Sequence, residues 1–276
     1  MYSGEMGDFR VAAFQFSASR IKEENLKKIL NAIKLASKAK VDLIVFPEYS
    51  MFYPLPRGEF TRLAEHLDGE FTRSVAEAAK KFNVNVVLNL CEKCVDDPSR
   101  IYDTSILISS DGEVLSKYRK THLFDAFKFR ESDFIKPGDG ISHPASIGDF
   151  KIGLLICYDV RFPETARVLA LKGCNLLCVS AAWFSGTLKE EHLLTMAKAR
   201  AIENGLYVVL ANQSPPTFCG RSAIIDPFGV VMADAGEMET MICADLSLER
   251  LKKVRSALPL LNQRRPELYG DLTTRF

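Results

Sequence analysis

One order of predicted elements occurs twice along this sequence: strand, helix, strand, helix, strand, hairpin. Short β-branched runs mark the strands, and apolar residues at helical spacing mark the helices. The first unit has strands at 10–16, 42–46 and 85–90, helices at 22–39 and around 71–82, and a hairpin at 104–120. The second unit has strands at 151–156, 175–180 and 206–211, helices at 163–172 and 188–204, and a hairpin turning at 227–229. A strand at 241–245 and a short helix at 248–254 follow.

This repeat predicts an α/β fold with two similar halves. The hairpins have no helix after them, which weighs against the alternative of a single doubly wound sheet. We therefore expect two mixed sheets packed face to face with helices outside, which is a four-layer αββα sandwich.

The composition is that of an ordinary globular protein. The 276 residues are 47% hydrophobic and 26% charged, and a chain of this size buries about 75% of the surface it exposes when unfolded. Neither disulfides nor a structural metal are needed for stability. We expect one domain over 1–276, with 259–276 as a C-terminal tail.

Charge and hydropathy argue against several classes of partner. The net charge is +1, and no cluster of basic residues is interleaved with aromatics, so nucleic acid is not an expected partner. The apolar stretch 152–158 is far shorter than the roughly 18 residues of a membrane span, and the first ten residues lack the apolar region of a signal peptide. Seven cysteines, an odd number, indicate reduced thiols. We expect a soluble, cytoplasmic protein.

Three residues with chemical potential follow predicted strands, where reactive groups of α/β proteins gather. Glu48 follows the run 43–46, Cys157 follows the run 152–156 at a strand-to-helix elbow, and Lys120 ends the first hairpin. They suit a general base, a nucleophile and a group that stabilises a tetrahedral intermediate. Each alone also has an ordinary explanation: a helix cap, a buried small hydrophobe and a solvated charge.

The segments around these residues together resemble the signature segments of the nitrilase, or carbon–nitrogen hydrolase, superfamily. They read Phe-Pro-Glu at 46–48, Tyr-Arg-Lys-Thr-His-Leu-Phe at 118–124 and Cys-Tyr-Asp-Val-Arg-Phe-Pro-Glu at 157–164. The similarity extends along nearly the whole chain. The αββα sandwich of that superfamily agrees with the fold predicted from the order of elements.

The resemblance implies a role for each matching residue. Glu48 is the expected general base and Cys157 the nucleophile, while Lys120 and the backbone N–H of Tyr158 form the expected oxyanion site. Glu131 matches a second carboxylate that orients the substrate and Lys120. The implied reaction proceeds through a thioester: ammonia or an amine leaves first, and water then releases the acid. No metal or organic cofactor is implied.

The resemblance also narrows the substrate. Tyr158 follows the nucleophile, where nitrile-hydrolysing members have tryptophan, so 158–163 resembles the amidase-type branch. That branch implies ω-amides of small dicarboxylic acids or deaminated glutathione as substrates, with N-carbamoyl amino acids and nitriles as alternatives. A free substrate carboxylate needs a cation or hydroxyl. Candidates beside the catalytic segments are Tyr49, Tyr53, Arg57, Lys128 and Arg130, and Trp183 is a candidate pocket wall.

Other classes of function are opposed by particular features. An intact set of Glu48, Lys120 and Cys157 argues against a catalytically silent binding protein. A glutaminase subunit that feeds ammonia to a separate synthetase is disfavoured, because the chain has no G-x-x-x-x-G-K-[ST] phosphate loop and no room for a synthetase domain. A dinucleotide-binding enzyme is disfavoured because no G-x-G-x-x-G follows the first strand. Cys91 and Cys94 form a C-x-x-C without the second ligand pair of a zinc site or the following helix of a redox motif.

The C-terminal tail bears on assembly. From residue 259 it resembles the segment that reaches over a partner subunit in the superfamily. We therefore expect a homo-oligomer built on a dimer.

Overall fold

A computed structural model describes residues 9–53 and 57–270 of the chain. Two six-stranded sheets form its centre. Sheet 1 contains β1 (Phe9–Gln15), β2 (Leu43–Val45), β3 (Asn85–Lys93), β4 (Ile101–Ile108), β5 (Val114–Arg119) and β14 (Thr240–Leu246). Sheet 2 contains β8 (Ala145–Ile147), β9 (Phe150–Ile156), β10 (Leu176–Ala181), β11 (Tyr207–Asn212), β12 (Ala223–Ile225) and β13 (Val231–Asp234). A separate small hairpin pairs β6 (Asp125–Ala126) with β7 (Phe129–Arg130).

Both sheets follow the same plan. Three parallel strands form the middle of each: β1, β2 and β3 in sheet 1, and β9, β10 and β11 in sheet 2. Two antiparallel strands extend each sheet on one side, β4 and β5 or β12 and β13. One antiparallel strand closes the other side, β14 or β8. The predicted repeat is confirmed, and the alternative of one doubly wound sheet is wrong.

Six α-helices accompany the sheets in the described residues. They are α1 (Lys22–Lys38), α2 (Arg57–Leu63), α3 (Glu70–Phe82), α4 (Pro163–Leu171), α5 (Lys189–Asn204) and α6 (Leu248–Ala257). Pro163 suits the first turn of α4, and Gly173, with φ of +92°, follows the end of that helix. None of the helices in the described ranges is both long and apolar enough to cross a membrane.

The alternation of side chains along each strand explains the layers. On β1, Val11 and Ala13 lie in the core between the two sheets, whereas Ala12 packs with the apolar faces of α1 and α3. Phe9 and Phe150 stack across the gap between the sheets, with ring centroids 4.8 Å apart. The other face of sheet 2 is covered by α4 and α5 through residues such as Leu169 and Leu193. The predicted αββα sandwich is confirmed.

Several elements were not predicted from the sequence: α2, the β6–β7 hairpin and β8. A further difference concerns the partner of β14. This strand follows the second half in the chain, but it pairs with β1, from Phe9 with Leu246 to Gln15 with Thr240. The last strand of the fold therefore completes the first sheet. The predicted C-terminal tail is described as far as residue 270, and residues 271–276 and 1–8 lie outside the described part.

Candidate active site

The candidate site lies where the parallel strands of both sheets end. Glu48 follows β2, Cys157 follows β9 directly, and Ala182 follows β10. Lys120 follows β5 and lies near the start of β4, where its backbone N–H donates to the carbonyl oxygen of Asp103 at 2.9 Å. The facing sheets thereby bring residues from distant parts of the sequence together.

Cys157 occupies a sharp turn. It begins a 3₁₀-helix, Cys157–Arg161, that connects β9 to α4, and its φ is +44°. A non-glycine residue with positive φ is strained, and such strain persists where the surrounding structure enforces it, often at active sites. The predicted strand-to-helix elbow is present.

Lys120 forms the centre of a buried charge network. Its Nζ donates to Glu48 Oε1 at 2.6 Å and to Glu131 Oε1 at 2.7 Å, and it lies 3.7 Å from Asp103 Oδ2. Burial opposes the charged form, but the carboxylates outweigh it and raise the pKa of Lys120 above its usual range. The lysine is therefore a fixed ammonium group.

Glu48 is held by the second half of the chain. Its Oε2 accepts a hydrogen bond from the Ala182 backbone N–H at 2.7 Å, and its carbonyl oxygen accepts one from Gln213 Nε2 at 2.8 Å. Only 1% of Glu48 is exposed. The carboxylate can turn neither toward solvent nor away from Lys120 without losing these bonds.

Glu131 begins a second 3₁₀-helix, Glu131–Asp133, after the β6–β7 hairpin. In addition to the bond from Lys120, its Oε1 accepts one from the Tyr49 hydroxyl at 2.7 Å, and its Oε2 accepts one from the Phe124 N–H at 2.6 Å. These donors are those expected around an ionised buried carboxylate.

The Cys157 thiol is protonated in the resting protein. Burial is the largest cause that raises its pKa, and the charge of Glu48 adds to it, while Lys120 and the Ala182 N–H act in the opposite direction. Lys120 by itself would lower the pKa of the thiol, but burial outweighs it. The thiol therefore needs a base to become a nucleophile.

A cavity that is partly open to solvent lies above these groups. Its walls are largely aromatic: Tyr53, Phe124, Phe129, Trp183, Phe184 and Phe218. Burial raises the pKa of the Tyr53 hydroxyl to about 12, with the charge of Glu48 as the next cause. An apolar wall around a few charged groups is typical of a small-molecule site.

The structure brings most of the predicted site residues to this cavity. Its lining includes Glu48, Lys120, Glu131, Cys157, Tyr158, Tyr49, Tyr53 and Trp183. Arg130 does not line it, because its side chain is 71% exposed and lies 3.5 Å from Asp133. Lys128 is also exposed and outside the cavity. The side chain of Arg57 lies outside the described part of the chain.

Two cations that line the cavity were not among the predicted substrate-binding residues, Arg161 and Lys189. The Arg161 guanidinium lies 4.3 Å from the centre of the Trp183 ring, and Lys189 Nζ lies 4.2 Å from that of Phe127. The Trp183 indole N–H donates to the Lys189 carbonyl oxygen at 2.9 Å, which fixes the start of α5. The rule of inspecting residues that follow strands could have identified both.

Three buried acids could suggest a metal site, since oxygen atoms of Glu48, Asp103 and Glu131 lie within 4.8 Å of one another. Lys120 Nζ bonds to two of them and lies 3.7 Å from the third, so an ammonium group already supplies the cation. The C-x-x-C cysteines are unlinked: Cys91 is buried within β3, and Cys94 donates to Asp96 at 3.1 Å.

This chain belongs to the carbon–nitrogen hydrolase family, whose family model matches residues 10–256. A deaminated glutathione amidase of Escherichia coli O157:H7 is 35% identical over 92% of this chain and 97% of its own length. An omega-amidase NIT2 of Xenopus tropicalis is 34% identical over 96% of this chain and 98% of its own. The crystal structure of Saccharomyces cerevisiae Nit3, a member of branch 10 of the nitrilase superfamily, superposes with a TM-score of 0.84 and 31% identity. The superposition covers 93% of this chain and 96% of the Nit3 chain. The chain is accordingly an enzyme of the amide-hydrolysing type, and the resemblance seen in the sequence is confirmed.

Proposed function

We propose that this chain hydrolyses the C–N bond of small linear carboxamides that carry a free carboxylate, with Cys157 as the nucleophile and Glu48 as the general base. The observation that carries the proposal is that the Cys157 thiol, Glu48 and Lys120 line one cavity. The substrate is a small-molecule amide, and the reaction uses neither a metal nor an organic cofactor.

In the first step the Cys157 sulfur bonds to the amide carbon while the thiol proton passes to Glu48. The oxyanion that forms is stabilised by Lys120 and the Tyr158 backbone N–H. An ammonium group has three N–H donors, and the bonds to Glu48 and Glu131 leave one for the oxyanion. The tetrahedral intermediate then expels the amine, which takes the proton from Glu48, and a thioester remains.

In the second step a water molecule attacks the thioester. Glu48 accepts one proton of the water as its oxygen bonds to the acyl carbon, and the carbon–sulfur bond breaks. The thiolate recovers its proton from Glu48, and the carboxylic acid leaves. Glu131 takes no proton in either step, since its role is to orient Lys120.

Arg161 and Lys189 favour a substrate with a negative charge. Neither forms an ion pair with a carboxylate of the described residues. Partial burial lowers the pKa of Lys189, and the neighbouring charge of Arg161 lowers it further. A bound carboxylate relieves this repulsion and can bond to both cations. Tyr53, Tyr49 and Trp183 form the walls along the acyl chain.

The names of the relatives support an amide substrate of this kind. One is an omega-amidase and another a deaminated glutathione amidase, and both align over nearly their whole lengths. We favour ω-amides of dicarboxylic acids over N-carbamoyl amino acids and nitriles on this ground.

The proposal extends to assembly and location. The chain forms one domain, and the tail from Pro259 contacts a partner subunit in a homo-oligomer built on a dimer. Light scattering would then give at least about twice the monomer mass of 30.9 kDa, and a value near the monomer mass would contradict the dimer. All seven cysteines are free thiols, which is typical of a reducing compartment and supports a cytoplasmic location.

The test measures ammonia release from four substrate classes: ω-amides of dicarboxylic acids, aliphatic amides of the same length, N-carbamoyl amino acids and nitriles. We expect release from the ω-amides by the wild type and none by Cys157→Ala. Release from carbamoyl compounds alone would assign the alternative substrate class. Mass spectrometry detects an acyl adduct on Cys157. If the folded wild type never forms this adduct with any of the substrates, the proposal is contradicted.

A matched pair of variants tests the carboxylate site. Lys189→Met removes a charge inside the cavity, and Lys128→Met removes one from the exposed hairpin. We expect Lys189→Met to raise KM for the ω-amide by roughly tenfold and to leave the uncharged amide unaffected, whereas Lys128→Met leaves both unchanged. Equal effects on the charged and uncharged amides would contradict the assignment.

A further inference from the structure

Asp103 is a buried acid for which the proposed mechanism has no use. It lies on β4 and is 1% exposed. Its Oδ1 accepts a hydrogen bond from Asn89 Nδ2 at 2.6 Å. Its Oδ2 is buried without any hydrogen-bond partner, and Lys120 Nζ is 3.7 Å from it. An oxygen of an ionised carboxylate in this position is left without a donor.

The neighbouring acids are bonded differently. Both oxygens of Glu48 and both oxygens of Glu131 accept hydrogen bonds. Asp159, another buried aspartate, also has both oxygens bonded: Oδ1 by the His122 N–H at 3.0 Å and Oδ2 by the Tyr118 hydroxyl at 2.8 Å. A buried carboxylate is ionised at low cost only when such donors surround it. Asp103 lacks them at one oxygen.

The charges around Asp103 also disfavour its ionised form. The titratable groups around it are Glu48, Glu131, Lys120, Tyr49 and Cys91. Only Lys120 is a cation, and its short bonds go to the two glutamates. Burial raises the pKa of Asp103, the charge of Glu48 raises it further, and Lys120 only partly offsets these effects. Three ionised acids with one ammonium would leave two uncompensated negative charges in the core.

We propose that Asp103 is a neutral carboxylic acid in the resting enzyme, that its proton lies on Oδ2, and that it donates a hydrogen bond to Glu48. Oxygen atoms of the two carboxyl groups lie within 4.8 Å of each other, and a hydrogen bond between the two groups is one cause that raises the pKa of Asp103. Oδ2, which has no hydrogen-bond donor, then becomes a donor itself. The net charge of the cluster formed by Asp103, Lys120 and the two glutamates changes from −2 to −1. Asp103 is a positioning residue, since its hydrogen bond orients Glu48. Because a neutral Asp103 does not compete for Lys120, the short bonds of the ammonium group go to Glu48 and Glu131. The positioning role rests on the proposed function of Glu48.

Asparagine reproduces the neutral acid closely. In Asp103→Asn the amide oxygen can accept from Asn89, and the amide N–H can donate to Glu48. We expect kcat/KM within about threefold of the wild type and an unmoved acid limb of its pH profile. In Asp103→Ala the donor is lost, and we expect a fall of about tenfold, which asparagine restores.

An ionised Asp103 gives the opposite result. Its replacement by asparagine removes a negative charge beside Glu48, so the base would ionise at lower pH and the acid limb would move down by about one pH unit. This shift contradicts the proposal. A variant Asp103→Asn that fails to fold also contradicts it, because a neutral isostere must be tolerated.

Infrared spectroscopy tests the protonation without any substrate. With ¹³C-labelled aspartate, we expect a C=O stretching band of a protonated carboxyl group at neutral pH that is absent from Asp103→Asn. Lack of this band in the wild type contradicts a neutral Asp103 whether or not the chain hydrolyses amides. If the band is present but ammonia release fails, the proposed function is at fault instead.

Asp159→Asn is the matched control. Because donors surround both oxygens of Asp159, an amide there places its own N–H against another donor. We expect this variant to melt at a lower temperature than the wild type and Asp103→Asn to melt close to it. Equal losses in the two variants would contradict the difference in protonation.

Discussion

The two halves of the chain share one topology but supply different chemistry. The first half provides the charged groups Glu48, Lys120 and Glu131, whereas the second provides the Cys157 thiol and the Ala182 N–H. The corresponding strand ends of both sheets face one cavity. The repeated topology thus fixes where functional residues can lie, but each half by itself holds only part of the proposed machinery.

The largest effect is expected when the charge of the first half is removed. In Glu48→Gln the shape of the side chain remains, but the group can no longer accept the thiol proton. We expect kcat for ammonia release to fall by about 10³-fold with little change in the folded structure. Glu164→Gln, an exposed acid just after the elbow, serves as the control and keeps kcat within about twofold. A loss below tenfold in Glu48→Gln would place the base elsewhere.

The contact between the halves is tested at Phe150, which is 2% exposed and stacks on Phe9 between the sheets. Phe150→Ala removes a large buried ring, so we expect the free energy of unfolding to fall by about 4 kcal/mol. Phe228, by contrast, is 52% exposed, and Phe228→Ala is expected to cost less than about 1 kcal/mol. Urea unfolding of both variants measures the difference. Similar losses would mean that the inter-sheet layer is not a major source of stability.

Gln213 joins the halves by polar bonds. Its Nε2 donates to the Glu48 carbonyl oxygen at 2.8 Å, and its Oε1 accepts from the Ala18 N–H at 2.9 Å. In Gln213→Ala we expect a loss of about 2 kcal/mol in unfolding free energy, because buried groups lose their partners. A displaced Glu48 also lowers kcat about tenfold. The exposed Asn31→Ala on α1 is the control. An unchanged kcat in Gln213→Ala would show that the base is held in other ways.

The last prediction concerns the alkaline stability of the second half, which holds five of the seven thiols. Burial raises the pKa of Cys174 to about 12, whereas an unfolded thiol titrates near 8.5. As the pH rises between these values the unfolded state loses the proton first, so the folded protein is progressively destabilised. We expect Cys174→Ala to reduce the slope of unfolding free energy against pH by up to about 1.4 kcal/mol per unit in this window. Identical slopes in variant and wild type would contradict the assignment.

The sequence predicted the fold well where local patterns suffice. Helical spacing located α1 and α3, and the order of elements distinguished two sheets from one. The partner of β14 could not be predicted, because its apolar run fits the edge of either sheet and only tertiary packing selects β1. The short strands β6, β7 and β8 lack the length for a clear alternation of side chains.

The residues of the candidate site likewise fall into two groups: those that their position in the sequence locates, and those that depend on the folded structure. Glu48, Lys120 and Cys157 follow strands and lie in recognisable segments, so local position and resemblance identified them. Arg130 directly precedes Glu131, but consecutive residues point in different directions, and the Arg130 side chain faces solvent. Asp103 lies in the interior of a strand, and its missing hydrogen-bond donor is a property of the folded neighbours.

The pairing of β14 with β1 has a consequence for the order of synthesis. A ribosome adds about 5–20 residues per second, so β1 waits for roughly 10–50 s before its antiparallel partner has been made. During this time one edge of an apolar strand is available to other chains, which is the usual starting point for aggregation. A nascent chain of this enzyme therefore needs protection until translation reaches Leu246, and a product truncated before Thr240 keeps that edge open permanently.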